Sequence, residues 1–367
     1  MGWAWLHDGV ALKRRMVAAS LPLLALAMVR PASSQEIELS GYYENTFQAD
    51  YTAETKALLL DASKIRLDLG SLLTPNLEVR GNVNFIVSLG SISRELGPYL
   101  PDAISRQLQA VGAPDTFSLD RARLWLDNAY VTLTTAAVRV RAGMQQLSWG
   151  PGYSFNPTDL FHRKNILDPT YEKEGVVALR ADYRWGVGGE LSAIVARHDD
   201  LSSLGYALRL GTHVSAIGYD VALTAHQVND TTSLDPATFM PVKQRRRAFG
   251  AELSGEILGL GVWVEGNYNV MERESNFARI VAGLDYTLGD GTYLMAEGLY
   301  NGRANGSAPY PLLDWLANVI SGEPVSRWWI LAGARRDLSQ LVLGSMYLFA
   351  SPDGSVMLNP RLDVSVT

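Results

Sequence analysis

The chain contains no cysteine. That absence excludes disulfide staples, thiol nucleophiles and thiolate metal sites together. Beyond the first thirty residues there is no apolar run of about 18 residues, which excludes a helical membrane protein. Phenylalanine is scarce beside the other rings, 9 against 9 Trp and 16 Tyr, and 33 glycines accompany them. Rings with a polar tip suit a sheet whose side chains meet an interface. Charged residues make up 19% of the 367 and the mean hydropathy is near zero, so the chain is not disordered. Its length fits two average soluble domains or one large barrel.

The N-terminus has the layout of an export signal. Lys13, Arg14 and Arg15 precede an apolar core from Met16 to Val29, and Ala32-Ser33-Ser34 offers small residues before Gln35. The core is too short to span a bilayer comfortably, so residues 1–34 are expected to be cleaved rather than to anchor the chain. Their removal takes away four basic residues and one acidic one, leaving 28 basic against 37 acidic and a formal charge of −9. Residues 35–367 then form one unit.

What fills that unit is alternation. Val138, Val140, Ala142 and Met144 share one side of a strand, with Arg139, Arg141, Gly143 and Gln145 on the other. Ile65, Leu67 and Leu69 oppose Lys64, Arg66 and Asp68 in the same way. A period of two with one apolar and one strongly polar face marks a strand. The segment Leu119–Thr134 changes phase near Asp127, which predicts a bulge. Short joins such as Leu73–Asn76, Gly186–Gly189 and Gly289–Gly291 alternate with longer ones, of which 229–247 and 302–326 are long. Short helices are expected over Pro101–Val111 and Leu312–Ile320.

The pattern predicts an all-β fold, a closed antiparallel transmembrane β-barrel of about 16 strands with short turns on the periplasmic side. Closure is required because an open edge in lipid leaves backbone groups unpaired. A secreted soluble β-protein is the weaker alternative. The chain ends in PRLDVSVT, without the terminal aromatic usual in such barrels, so sixteen strands or eighteen with two lost both remain open.

One strand and its following loop carry a more specific pattern. Arg141, Gly143, Gln145, Trp149 and Gly150 lead into Asn156, Pro157 and Asp159. This Arg-x-Gly-x-Gln-x-x-x-Trp-Gly strand with its Asn-Pro-x-Asp loop resembles a group of porin-like outer-membrane proteins. The resemblance covers about 45 residues. It implies a channel-type barrel and says almost nothing of the solute.

Arg66, Arg80, Arg139, Arg141, Arg180 and Arg184 fall on the polar faces of consecutive strands, with Arg121 and Arg123 near the phase change. Glu252, Glu256, Glu265, Asp285 and Glu297 gather later in the chain. A basic wall facing an acidic one sets up a transverse field across a lumen. The competing reading is cross-strand pairing inside a filled barrel. The loop 151–174 is the candidate constriction, with Asp159 or Asp168 expected to meet Arg139 and Arg141; a loop capping the rim is the alternative. His162, His198, His213 and His226 have no nucleophile motif beside them, so no catalytic, metal or cofactor residue is assigned.

The expected function is an outer-membrane channel giving passive or weakly selective passage to small polar or anionic solutes. Alternatives are a non-conducting structural or polysaccharide-export barrel and, last, a barrel-embedded hydrolase. Expected partners are outer-membrane lipid and lipopolysaccharide, small polar solutes, the barrel-insertion machinery and further copies of the chain. The acidic mature chain argues against nucleic acid.

Overall fold

The structure, a computed structural model, describes residues 37–50, 58–95, 106, 109–110, 116–161, 175–197, 203–234, 241–304, 325–352, 354 and 356–364. The export signal, Asp168, His162, His198 and the helix expected over Leu312–Ile320 lie outside them. Arg106 and residues 109–110 are helical, within the first expected helix.

In chain order the strands are β1 (Ile37–Asp50), β2 (Leu58–Thr74), β3 (Leu77–Gly90), β4 (Ser93–Glu95), β5 (Thr116–Ser118), β6 (Ala122–Trp125), β7 (Ala129–Thr134), β8 (Val138–Gln145), β9 (Val176–Trp185) and β10 (Gly189–Arg197). There follow β11 (Leu204–Val214), β12 (Tyr219–Leu234), β13 (Pro241–Ile257), β14 (Leu260–Met271), β15 (Phe277–Thr287), β16 (Tyr293–Asn301), β17 (Trp328–Ser339), β18 (Val342–Ala350) and β19 (Val356–Val364). All but β4 and β5, which form a separate two-stranded ribbon, belong to one sheet of 17 strands. Apart from β6 and β7, which both pair with β3, each pairs antiparallel with the next in sequence, from Ile37 opposite Ser71 to Val342 opposite Val364.

β6 and β7 both pair with β3 and are two halves of one pass. The register moves by one residue between Asn84 opposite Trp125 and Gly81 opposite Ala129. This is the bulge expected near Asp127. Its stray backbone donors are met by one side chain, since the Asp127 and Asn128 N–H groups donate to Asn82 Oδ1 at 3.0 and 2.9 Å.

The hairpin of β12 and β13 is longer than expected. Its strands run to Leu234 and from Pro241, into what reads in sequence as a 229–247 loop. About 9–11 tilted residues suffice to cross a membrane, and these strands have 16 and 17. Residues beyond the apolar layer need no alternation, so Asn229, Gln244 and Arg245 carry no strand signal while still pairing across the hairpin.

The two faces differ sharply. Leu179, Leu208, Leu223, Phe249, Val264, Ile280 and Ile330 stand exposed on one. The other buries Asn82, Asn84, Asp182, Glu265, Asn267, Asn269 and Glu297. Exposed apolar side chains repeated along every strand are stable against lipid and not against water.

Candidate functional site

The join between β8 and β9 begins with a strap, residues 146–161, folded against the polar inner face. Its apolar residues seat it at three places. Leu147 and Trp149 pack on Ala178, Ile194 and Ala207 of β9 to β11. Leu160 packs on Val228 and Ala248 of β12 and β13. Phe155 enters a cluster with Trp263, Val281, Met295, Leu331 and Phe349 of β14 to β18.

Polar contacts fix its farthest reach. The Tyr153, Ser154 and Phe155 N–H groups donate to the Glu297 carboxylate at 2.6, 2.8 and 2.9 Å. Trp263 Nε1 donates to the same group at 2.8 Å, and Glu297 is 1% exposed. Thr158 Oγ1 donates to Glu265 Oε2 at 2.8 Å, Asn267 Nδ2 donates to the Pro157 carbonyl, and the Tyr153 and Tyr347 hydroxyls are 2.7 Å apart. Charge-assisted bonds to a buried carboxylate are strong as well as directional. The strap therefore reaches from β8 to strands far along the meander and is tied there by main-chain donors.

The motif residues build this exit. Gly143 has φ 127, and a Cβ on it would overlap the Ala129 carbonyl beside the bulge. Gln145 is wholly buried and donates to the Ala178 carbonyl at 3.0 Å. Gly150 has φ 87, and a Cβ would occupy the space of the Glu265 carboxylate. Asn156 Nδ2 closes the strap on itself by donating to the Trp149 carbonyl at 3.1 Å. Trp149 stands edge-on to His226, ring centroids 5.3 Å apart.

The arginines divide into two sets. Arg66 donates to Asp68 at 2.9 Å and lies 3.9 Å from Asp127; Arg80 pairs with Glu78; Arg180 donates to Asp182 at 2.7 Å. Arg123 lies over Trp125, 5.0 Å from its centroid, and Arg121 is exposed just before β6. Arg141 stacks over Tyr130 at 4.4 Å and donates to Thr132 Oγ1 at 3.3 Å. Among the described residues neither Arg139 nor Arg141 makes an ion pair. The contact expected between Asp159 and these two arginines is not formed. Asp159 is buried in the strap's return limb, its N–H donating to the Asn156 carbonyl at 3.2 Å.

The acidic residues also have a different task from the one expected. Glu265 and Glu297, read in sequence as half of a transverse field, hold the strap. Asp285 accepts the Tyr293 hydroxyl at 2.9 Å, and Glu252 pairs with Arg209 at 2.9 Å. Arg209 was missed in sequence. Its signal is alternation between Leu208 and Leu210.

No family model and no curated protein matches the chain. Among solved structures, a loop-deletion mutant of OmpT, an outer membrane protein of Vibrio cholerae, aligns with a TM-score of 0.53 at 11% identity, covering 90% of this chain and 99% of that one. Salmonella typhi OmpF in complex with daunomycin aligns at 0.49 and 10% identity, over 87% and 92% of the two chains. A mutant porin of Rh. blastica aligns at 0.49 and 10%, over 90% and 99%. The first likeness is one of fold, the long antiparallel meander of outer-membrane barrels. That fold carries an apolar outer face, which suits a surround of lipid rather than water.

Proposed function

We propose that the protein is a porin-like channel, a closed barrel of sixteen passes that lets small polar or anionic solutes cross the outer membrane passively or with weak selectivity. The observation that carries this reading is the strap, a segment between adjacent strands folded inward and tied to Glu297. A tied inward segment narrows a lumen without plugging it, whereas a structural barrel has no need of one. Arg139 and Arg141, without carboxylate partners among the described residues, supply fixed positive charge on the wall from which the strap departs. The role is conduit and not enzyme. Lipid and lipopolysaccharide surround the outer face, the insertion machinery assembles the barrel, and further copies of the chain are its natural neighbours.

The test is a planar bilayer. Under a salt gradient the wild type should show a reversal potential of anion preference, and the Arg139→Ser/Arg141→Ser double variant should move it toward cations. An unchanged potential would assign the two arginines to structure. The apolar cluster around Phe155 favours a second reading, a filled, non-conducting barrel. The absence of any current from correctly folded protein would establish that one.

A further inference from the structure

Beneath the strap lies a cavity of about 440 Å³, walled by strap residues near Trp149 and Gly150 on one side and by β9 to β13 on the other. Its size falls in the range of small-solute sites, about 300–1,000 Å³. Two guanidinium groups, Arg180 and Arg209, and three carboxylates, Glu190, Glu252 and Asp220, line it. A cavity carrying both signs is unlike the basic face that an anion alone would need.

Arg209 and Glu252 pair with each other across this wall, and the pairing leaves hydrogen-bonding capacity on both. Arg209 directs Nε and one terminal nitrogen to a single oxygen, Glu252 Oε2, at 3.1 and 2.9 Å. Guanidinium has five N–H donors, so others stay available on its second terminal nitrogen. Glu252 is only 6% exposed, and its other oxygen, Oε1, accepts no hydrogen bond from the described residues. A buried carboxylate oxygen without a donor is costly, and a cationic N–H relieves it best. Arg180, held by Asp182 at 2.7 Å and 3.8 Å from Glu190, stands in the same wall. Asp220 is engaged by His213 at 2.9 Å. Among the described residues no group of three metal-binding side chains is present, so a metal ion does not explain the cluster.

We propose that this cavity binds a zwitterionic solute of the amino-acid or short-peptide class, its ammonium on Glu252 and its carboxylate on Arg209 and Arg180. The inference rests on the channel reading, since it makes the cavity a stop on the solute's path, but its test reads binding and not current.

Titration calorimetry on the refolded wild type in detergent uses three probes: glycylglycine, its N-acetyl derivative lacking the ammonium, and its amide lacking the carboxylate. Glycylglycine should bind at least tenfold more tightly than either blocked form. Glu252→Gln keeps the shape and an acceptor for Arg209 but loses the charge, and should abolish that advantage over the N-acetyl probe. If this variant does not fold, the three wild-type titrations decide alone. Equal binding of either blocked probe, or no binding of glycylglycine to folded protein, overturns the proposal. Current without binding removes this site and keeps the channel; binding without current does the reverse.

Discussion

Single glycines decide where this sheet may bend. Gly143 sits at φ 127 opposite the bulge that Asn82 satisfies, with no room for a side chain beside the Ala129 carbonyl. Gly143→Ala should therefore lower stability by about 3 kcal/mol, from a forced backbone and a displaced strand. Urea unfolding followed by tryptophan fluorescence measures it; a loss below about 1 kcal/mol would show that the strand relaxes freely. The opposite sign is expected at the β13–β14 turn. Leu258 is the one described non-glycine residue with positive φ, 55°, and its side chain is 95% exposed. A left-handed conformation costs an ordinary L-residue roughly 1–2 kcal/mol, so Leu258→Gly should raise the same unfolding midpoint. Neither conformation is visible in the letters alone. The bulge was legible because the apolar phase breaks at Asp127, but the positive φ at Leu258 leaves no mark on alternation.

The strap is the element on which the site depends, and its sequence shows only half of it. Asn156-Pro157 and the cluster of Gly and Asp announce a compact loop. Its destination is not legible, because its three bonds to β16 are all made by main-chain N–H groups, which every residue but proline possesses. Glu297 and Glu265 read as solvated lumen charges until the donors facing them are known. Alternation puts Arg180 and Asp182 on one face, two residues apart on a strand, but Arg180 reads in sequence as part of a basic wall and not as the partner of Asp182. Glu297→Gln tests the anchor. An amide has one acceptor oxygen and turns an NH2 group toward donors that need an acceptor, so several bonds to a charged group fail together. A loss of about 3 kcal/mol or more is expected for the strap's docking. Limited proteolysis should then cut within residues 150–161, which wild type protects, while the heat-modifiable mobility of the barrel is kept. Unchanged protection would mean that the apolar seats of Trp149, Phe155 and Leu160 hold the strap unaided.

Across the whole molecule the open question is the seam. Among the described residues β1 pairs with β2 and β19 with β18, which leaves one free edge on each outermost strand. In lipid such edges would strand a row of N–H and C=O groups at several kcal/mol each, a cost far above the marginal stability of any fold. β6 and β7 count as one pass, so the sheet has an even number of passes and its two end strands run antiparallel, as a closing pair in such barrels must. Ile37, Leu39, Tyr43 and Phe47 on β1 and Val356, Leu358 and Leu362 on β19 point to the same apolar outer side. A closed seam therefore predicts a disulfide between outward positions of the two strands. Because the chain has no cysteine, every crosslink can be assigned. Tyr43→Cys should be combined in turn with Val356→Cys, Leu358→Cys and Leu362→Cys, and the membranes oxidised. One register should yield an intramolecular bond, seen as faster migration of the unboiled and boiled monomer, since a disulfide needs its two Cβ atoms only about 3.5–4.5 Å apart. A ladder of crosslinked dimers instead would place the edges against another copy. No crosslink in any pair would mean that further strands stand between β19 and β1.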